Sequence, residues 1–204
     1  MVNAGALVMI VLFQPELRRA LEQIGRGTII EGKKNINVDD RVAMQALIQA
    51  LLNLSKRRIG ALVVVQRYVA LGDIVETGVM MEADVSAQLL ESIFMPGTPL
   101  HDGAVVIKDG EILAAGCFLP LSDSQDLPKE LGTRHRAAMG VSEVSDSLVF
   151  VVSEETGTIS MAYEGELKRN MDAAAIRRAL ITGAAGHSPT RSILDRFRKR
   201  RQDS

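Results

Sequence analysis

Two short segments of this 204-residue chain concentrate the side chains that most often bind metal ions and phosphates. In the first segment, His101, Asp102 and Gly103 precede an apolar run at residues 104–107. Carboxylate oxygens and imidazole nitrogens are ligands for divalent metal ions, and a glycine lets a ligand approach the backbone closely because it has no Cβ. The alternative is an ordinary Asp-Gly turn with an exposed histidine. By itself this segment indicates a candidate metal site and no more.

The second segment places Thr133, Arg134, His135 and Arg136 in the first turn of an expected helix. Cationic side chains are unfavourable there, because the helix dipole already makes the potential positive. The arrangement becomes favourable when an anion binds, since free backbone N–H groups, the hydroxyl and the two guanidinium groups can converge on phosphates. A solvated basic cap is the alternative. We favour the phosphate site.

Hydrophobic periodicity and turn residues predict the elements that position both segments. Helices are expected at about residues 15–24, 39–58, 86–94, 133–144 and 172–181, with Thr133 as the cap of the fourth. Strands are expected at residues 60–65, 104–107, 111–119, 148–152 and 158–162, with a hairpin turn at Asp109–Gly110. Strands interspersed with helices, some of them in hairpins, predict a single α/β domain with a central mixed, twisted β-sheet flanked by helices.

Composition limits the classes of protein to which the chain can belong. Its 24 basic and 25 acidic side chains give a formal net charge of −1, so we expect no nucleic-acid partner, and any nucleotide site must be local. Hydrophobic residues make up 47% of the chain and aromatic residues only 3%, which predicts a globular protein with an aliphatic core. The single cysteine, Cys117, excludes an intramolecular disulfide and a Cys-rich zinc site, and is expected to be buried in a strand.

The amino-terminal residues carry an apolar run at residues 5–13, followed by Arg18 and Arg19. The run is shorter than the about twenty residues that span a bilayer, and it lacks the pattern of a secretory signal. It resembles the last turns of a membrane helix, with the arginines on the cytoplasmic side. An amphipathic core helix is the alternative.

Together, the two polar segments resemble the signature of the diadenylate cyclase family, an Asp-Gly-Ala motif at residues 102–104 and an Arg-His-Arg motif at residues 134–136. The similarity extends in order through residues 28–182, including residues 99–107, 119–122, 132–138 and 153–157, and is greatest with the membrane-anchored branch of the family. It implies that residues 1–27 are the end of a membrane helix and a linker, and that residues 28–182 form a cytoplasmic catalytic domain. Residues 183–204 are then a basic, mobile tail.

The resemblance implies that two ATP molecules are condensed into cyclic di-AMP and two pyrophosphates in a face-to-face homodimer. In such a dimer each ribose 3′-hydroxyl attacks the α-phosphate of the other ATP. The implied catalytic residues are the two motifs: Asp102, Gly103, Ala104, Arg134, His135 and Arg136. A divalent metal ion, Mn²⁺ or Mg²⁺, would be held by His101, Asp102 and Glu155. The implied substrate-binding residues are Thr133, Phe118, Leu119, Ser153 and Glu154.

Alternatives remain open at several of these positions. Phe118 is as well suited to a hydrophobic core as to stacking on adenine, and Glu155 to a turn between two strands. For the whole domain, the same side chains would also serve a metal-dependent phosphodiesterase that releases AMP without a dimer. A membrane-tethered nucleotide sensor without catalysis is a third possibility, although both signature motifs are intact.

Overall fold

The computed structural model describes residues 38–124 and 131–184. The helices are α1 (Val38–Arg57), α2 (Gly72–Val75), α3 (Ala87–Ile93), α4 (Thr133–Val144) and α5 (Ala173–Ala184). The strands are β1 (Ala61–Val65), β2 (Val79–Asp84), β3 (Ala104–Lys108), β4 (Glu111–Cys117), β5 (Leu148–Val152), β6 (Ile159–Tyr163) and β7 (Glu166–Lys168). The predictions for a helix at residues 15–24, a membrane-helix end and a basic tail lie outside the described residues, apart from residues 183 and 184 at the end of α5.

The seven strands form one sheet in the order β2-β4-β3-β1-β5-β6-β7. Strands β1 and β3 are parallel, and every other neighbouring pair is antiparallel. The predicted central mixed sheet flanked by helices is therefore confirmed.

Both faces of the sheet are covered by helices. Val63 and Phe150 contribute to a buried cluster with α1, α3 and α5, whereas Val64 and Val149 contribute to a second cluster with α2 and α4. Burial on both faces explains why β1, β3 and β5 are continuous apolar runs rather than alternating ones. Within the described ranges, no helix is both long enough and apolar enough to cross a membrane.

Local sequence signals set the boundaries of several elements. The Ser86 side chain accepts a hydrogen bond from the Leu89 N–H at 3.2 Å and so caps α3. Asp109 and Gly110 have φ values of 51° and 86°, and both residues of a two-residue type I′ hairpin turn need positive φ. The predicted hairpin turn is confirmed.

One predicted cap is wrong. The N-cap residue of α4 is Gly132, which has an extended backbone and no side chain that could form a capping hydrogen bond. Thr133 is the first helical residue. Three short elements, α2, β2 and β7, had no sequence prediction. Strand β2 lies at the sheet edge and has a register shift between Met80 and Ala83, which breaks the regular alternation of side chains.

Candidate functional site

Four strands begin or end along one edge of the sheet, meaning the edge that runs across the strands and not the side of an outermost strand. Val63 pairs with Val105 in parallel, so β1 and β3 begin at the same edge. Ala61 pairs with Val152 and Ala104 with Cys117, so β5 and β4 both end there. This edge therefore carries residues 102–103, 118–119 and 153–154, together with Gly60. Both signature segments and most of the other predicted site residues lie at or beside it.

The order of the strands gives the site a direction. Going across the sheet, the edge presents Phe118 after β4, Asp102 before β3, Gly60 before β1 and Glu154 after β5. Neighbouring strands are about 4.8 Å apart, so the three intervals span roughly 14 Å. Asp102 thus lies in the interior of an elongated site with an aromatic ring at one end and a carboxylate at the other.

Arg134 extends from the start of α4 to the Glu154 end of this edge. Its Nη1 atom donates to Glu154 Oε2 at 2.6 Å. The guanidinium lies against the backbone of Gly60, where an added Cβ would be 2.6 Å from Nη1. Within the described ranges, its other guanidinium nitrogens have no protein partner, and they remain available to a phosphate.

Arg136 extends from the same helix to the loop after β4. Its carbonyl accepts from the Ser122 N–H at 3.0 Å, and its Nη1 donates to the Ser122 carbonyl at 3.5 Å. The Ser122 hydroxyl donates to Glu143 Oε1 at 2.6 Å. Gly140 has no room for a Cβ because the Pro120 carbonyl lies against it. The loop at residues 119–122 is thereby fixed to α4.

His101 and Asp102 present unused donor atoms at the start of β3. His101 Nδ1 lies 2.5 Å from the Thr98 carbonyl oxygen. A carbonyl can only accept, so in the neutral imidazole Nδ1 carries the proton and Nε2 keeps its lone pair. Asp102 is exposed, and its carboxylate makes no hydrogen bond or ion pair anywhere in the described part of the chain. These two groups could serve a metal ion or a hydroxyl of a ligand.

Gly103 is required by packing, and Ala104 is part of the core. Gly103 has a φ of 126°, and an added Cβ would be 2.7–2.9 Å from Gly116 and the Cys117 carbonyl. Ala104 is fully buried and pairs with Cys117 in the sheet. The glycine therefore allows β4 to approach, a role that the sequence did not indicate.

Phe118 is 69% exposed, which excludes the core alternative for this residue. Its backbone N–H donates to the Thr77 hydroxyl at 2.9 Å, which fixes the backbone beside the half-buried Leu119. The neighbouring Cys117 is buried as predicted, and burial raises the pKa of its thiol to about 11. The Phe118 ring is thus available to a planar ligand, whereas the buried Cys117 thiol cannot contact a ligand.

The structure does not bring His135 to the site. The residue is only 6% exposed, and its Nε2 lies 3.5 Å from the buried Ser160 hydroxyl. Burial lowers the pKa of His135, and the positive charge of Arg169 lowers it further. His135 is therefore a neutral side chain inside the protein, whereas the sequence predicted that it would contact the phosphates. Thr133 is exposed beside it, as a phosphate contact requires.

Ser153, Glu154 and Glu155 belong to the turn after β5. The Ser153 hydroxyl accepts from the Thr156 N–H at 3.3 Å, so it has a structural contact already. Glu155 is exposed. Across residues 38–124 and 131–184, no three His, Cys, Asp or Glu side chains are grouped closely enough to hold a metal ion. His101, Asp102 and Glu155 therefore do not form a ready ligand set within one chain.

Comparisons with known proteins identify the family to which the chain belongs. A family model described as DisA bacterial checkpoint controller nucleotide-binding matches residues 48–167. The chain is 50% identical to cyclic di-AMP synthase CdaA of Bacillus subtilis over 177 residues. The aligned region covers 86% of this chain and 65% of that relative. The chain thus spans about two thirds of that relative's length.

Two solved structures are also similar. A crystal structure of a DacA double mutant from Staphylococcus aureus has a TM-score of 0.71 and 44% identity, and covers 74% of this chain and 100% of that one. A hypothetical membrane spanning protein from Bacillus cereus has a TM-score of 0.62 and 49% identity over 63% of each chain.

Proposed function

Because this chain belongs to the family of DisA bacterial checkpoint controller nucleotide-binding domains, we propose that it is a diadenylate cyclase that condenses two ATP molecules into cyclic di-AMP. In each of two steps, a ribose 3′-oxygen forms a bond to the α-phosphorus of the other ATP. The bond from that phosphorus to the bridging oxygen breaks, pyrophosphate leaves, and the hydroxyl proton passes to a base or to water. The observation that carries the proposal is the meeting of both signature segments and the exposed Phe118 at one sheet edge.

The order of groups along this edge suggests how one ATP would lie. The Phe118 ring is free to stack on adenine, and the Leu119 backbone lies next to it to contact the edge of the base. The phosphates would extend towards the start of α4, which carries the Thr133 hydroxyl and the guanidinium groups of Arg134 and Arg136. In this proposed arrangement the α-phosphate and the ribose would lie near Asp102, in the interior of the site.

The donor set at the start of β3 fits a divalent metal ion. His101 Nε2 keeps its lone pair while Nδ1 donates to a carbonyl, which is the usual arrangement for a metal-binding histidine. Asp102 adds an unused carboxylate, whereas Glu155 is not grouped with these two residues within one chain. A small protein ligand set is typical of Mg²⁺ and Mn²⁺ sites in which substrate phosphates complete the coordination. When bound, such an ion offsets phosphate charge and lowers the pKa of a coordinated hydroxyl.

The protein groups then divide the reaction between them. Asp102 accepts or directs the proton of the attacking 3′-hydroxyl. The guanidinium groups of Arg134 and Arg136 stabilise the negative charge that builds up on the leaving pyrophosphate. Neither role involves His135, whose neutral side chain supports α4 from inside.

A homodimer is part of the proposal. Each chain has one Asp-Gly-Ala segment and one Arg-His-Arg segment, whereas the product is two-fold symmetric and contains two linked nucleotides. Two copies related by a two-fold axis would bring each 3′-hydroxyl to the other chain's α-phosphate.

We further propose that the catalytic domain works at the cytoplasmic face of a membrane. The support is the similarity to a protein from Bacillus cereus described as membrane spanning, together with the apolar run at residues 5–13 and the following Arg18 and Arg19. Fractionation of the native protein tests this, and recovery only in the soluble fraction would contradict it.

Incubation with ATP and either Mg²⁺ or Mn²⁺, followed by chromatography, tests the activity. The expected products are cyclic di-AMP and pyrophosphate in a one-to-two ratio, with none formed when a chelator is present. AMP would instead indicate a phosphodiesterase, and unchanged ATP a nucleotide sensor.

A further inference from the structure

The Arg134 guanidinium lies over the backbone of Gly60, at the place where any other residue would have its Cβ. A Cβ added to Gly60 would lie 2.6 Å from Arg134 Nη1, 2.8 Å from Cζ and 2.9 Å from Glu154 Oε2. All three distances are below 3.0 Å, a separation that real Cβ atoms essentially never show. The guanidinium therefore occupies the volume that a side chain at position 60 would need, with the Glu154 carboxylate beside it.

Backbone conformation does not explain the glycine. The φ angle of Gly60 lies outside the left-handed region, so its backbone is one that other residues adopt. The surrounding chain is held firmly, because the Ile59 N–H donates to the Leu54 carbonyl at 2.9 Å and β1 begins at Ala61 in the middle of the sheet. What glycine supplies here is space over a fixed backbone.

The Arg134–Glu154 ion pair has little to contribute to stability. Glu154 is 63% exposed and Arg134 is 25% exposed, and exposed ion pairs are screened by water. Their geometry is nevertheless specific, since Glu154 occupies only Nη1. The remaining donors of the guanidinium stay free, and a planar guanidinium can bind a phosphate with two parallel hydrogen bonds.

We infer that Gly60 and Glu154 are positioning residues that hold the Arg134 guanidinium where it binds the nucleotide phosphates. Gly60 leaves the space and Glu154 fixes the orientation. This inference rests on the proposed function, because it assigns Arg134 to the phosphates.

The first test is Gly60→Ala. The atoms that meet the new methyl group are the ends of flexible side chains, so they can move aside while the fold is kept. Alanine also restricts the unfolded chain, so the melting temperature should be unchanged or higher. The ATP affinity and kcat/KM should nevertheless fall about ten- to a hundredfold, the range for loss of a charge-assisted contact.

The Arg134→Ala background is the matched control. Without the guanidinium, the added methyl group has nothing to displace, and Gly60→Ala should have no further effect on ATP affinity there. An equal loss in both backgrounds would mean that Gly60 acts on something other than Arg134. That result would overturn the inference.

Glu154 is tested by Glu154→Ala and Glu154→Gln. The glutamine keeps the shape and one acceptor oxygen, so it should retain more ATP affinity than the alanine. Both variants remove the same negative charge near ATP, so the difference in ATP affinity between them measures the contact with Arg134 and not the charge. Equal ATP affinity in Glu154→Ala and Glu154→Gln would contradict a positioning role.

Measuring ATP affinity and product formation separately distinguishes the two proposals. A wild-type protein that binds ATP without cyclising it, and loses affinity in Gly60→Ala, would disprove the cyclase and support the positioning role. A wild-type protein that cyclises ATP, and whose Gly60→Ala variant has unchanged ATP affinity and rate, would support the cyclase and disprove the positioning role. A wild-type protein that does not bind ATP would overturn both.

Discussion

Replacing Asp102 by asparagine separates catalysis from folding more cleanly than any other change at this site. The substitution keeps the size and shape of the side chain and removes one negative charge. Asp102 is exposed and makes no hydrogen bond or ion pair in the described part of the chain, so folding loses no contact. The free energy of unfolding should change by no more than about 0.5 kcal/mol. For a domain of this size, that corresponds to a shift of at most about 2 °C in the melting temperature.

The effect on the reaction should be far larger. A positioned proton acceptor contributes roughly a hundred- to ten-thousandfold to a rate, which corresponds to about 3–5.5 kcal/mol in the activation barrier. The expected loss in the barrier is therefore several times the largest expected change in stability. A large increase in the activation barrier with almost no change in the free energy of unfolding is what we expect of a residue that acts in the chemical step.

Initial rates of cyclic di-AMP formation and thermal unfolding of the same preparations provide the measurement. Asp84→Asn is a matched control, because Asp84 is also an exposed strand-end carboxylate but lies at the opposite edge of the sheet, where it pairs with Glu111. The control should keep the wild-type rate. A folded Asp102→Asn protein with more than a tenth of the wild-type rate would remove Asp102 from the mechanism.

Three further predictions follow from the same geometry. Phe118→Ala should weaken ATP binding by about 1–3 kcal/mol, as measured by titration with ATP. The melting temperature should not change, because the ring is 69% exposed, and an unchanged ATP affinity would exclude stacking. His135 has a pKa below its ordinary 6.5, so the unfolded chain takes up this proton first, and denaturant titrations should show that stability falls as the pH drops below about 6.5. In His135→Gln that acid-dependent loss should be smaller, and an identical loss would refute the assignment. Finally, specific activity should fall on dilution below the dimer dissociation constant, and constant activity in a protein shown by light scattering to be monomeric would refute the dimer.

The sequence predicted the elements whose signals are local. Strands β1, β3 and β5 are buried on both faces, and such strands are visible as short apolar runs between turn residues. The Asp109–Gly110 turn follows from the positive φ values that a two-residue hairpin needs. Both polar segments were found because their residue types are unusual at the start of a strand or a helix.

The direction of side chains around the start of α4 was not predictable in the same way. Successive residues of a helix differ in direction by about 100°, so three neighbouring cationic side chains cannot all face one ligand. Arg134 contacts Glu154, His135 points into the interior near Ser160, and Arg136 contacts the Ser122 carbonyl. Sequence alone treats the three as one basic group, whereas burial against the sheet selects the middle one for the interior.

Contacts between distant segments were also beyond the sequence. Gly60 is an unremarkable glycine before a strand, and nothing near it in the chain indicates that an arginine from α4 will occupy the space beside it. The same is true of Gly103, whose neighbours belong to β4. Both reasons for glycine exist only once the sheet order is known.

The two arginines then explain how one short helix can set the dimensions of the whole site. Arg134 connects the first turn of α4 to the end of β5, and Arg136 connects it to the loop after β4. β5 and β4 are the outer strands of the row in which Asp102 is an interior member. Gly140 holds the same helix against Pro120, so the Phe118 end cannot move away from the Glu154 end without displacing α4. A ligand that spans both ends is therefore bound at a fixed distance from Asp102, and this is what positioning catalysis requires of each half of a two-fold symmetric enzyme.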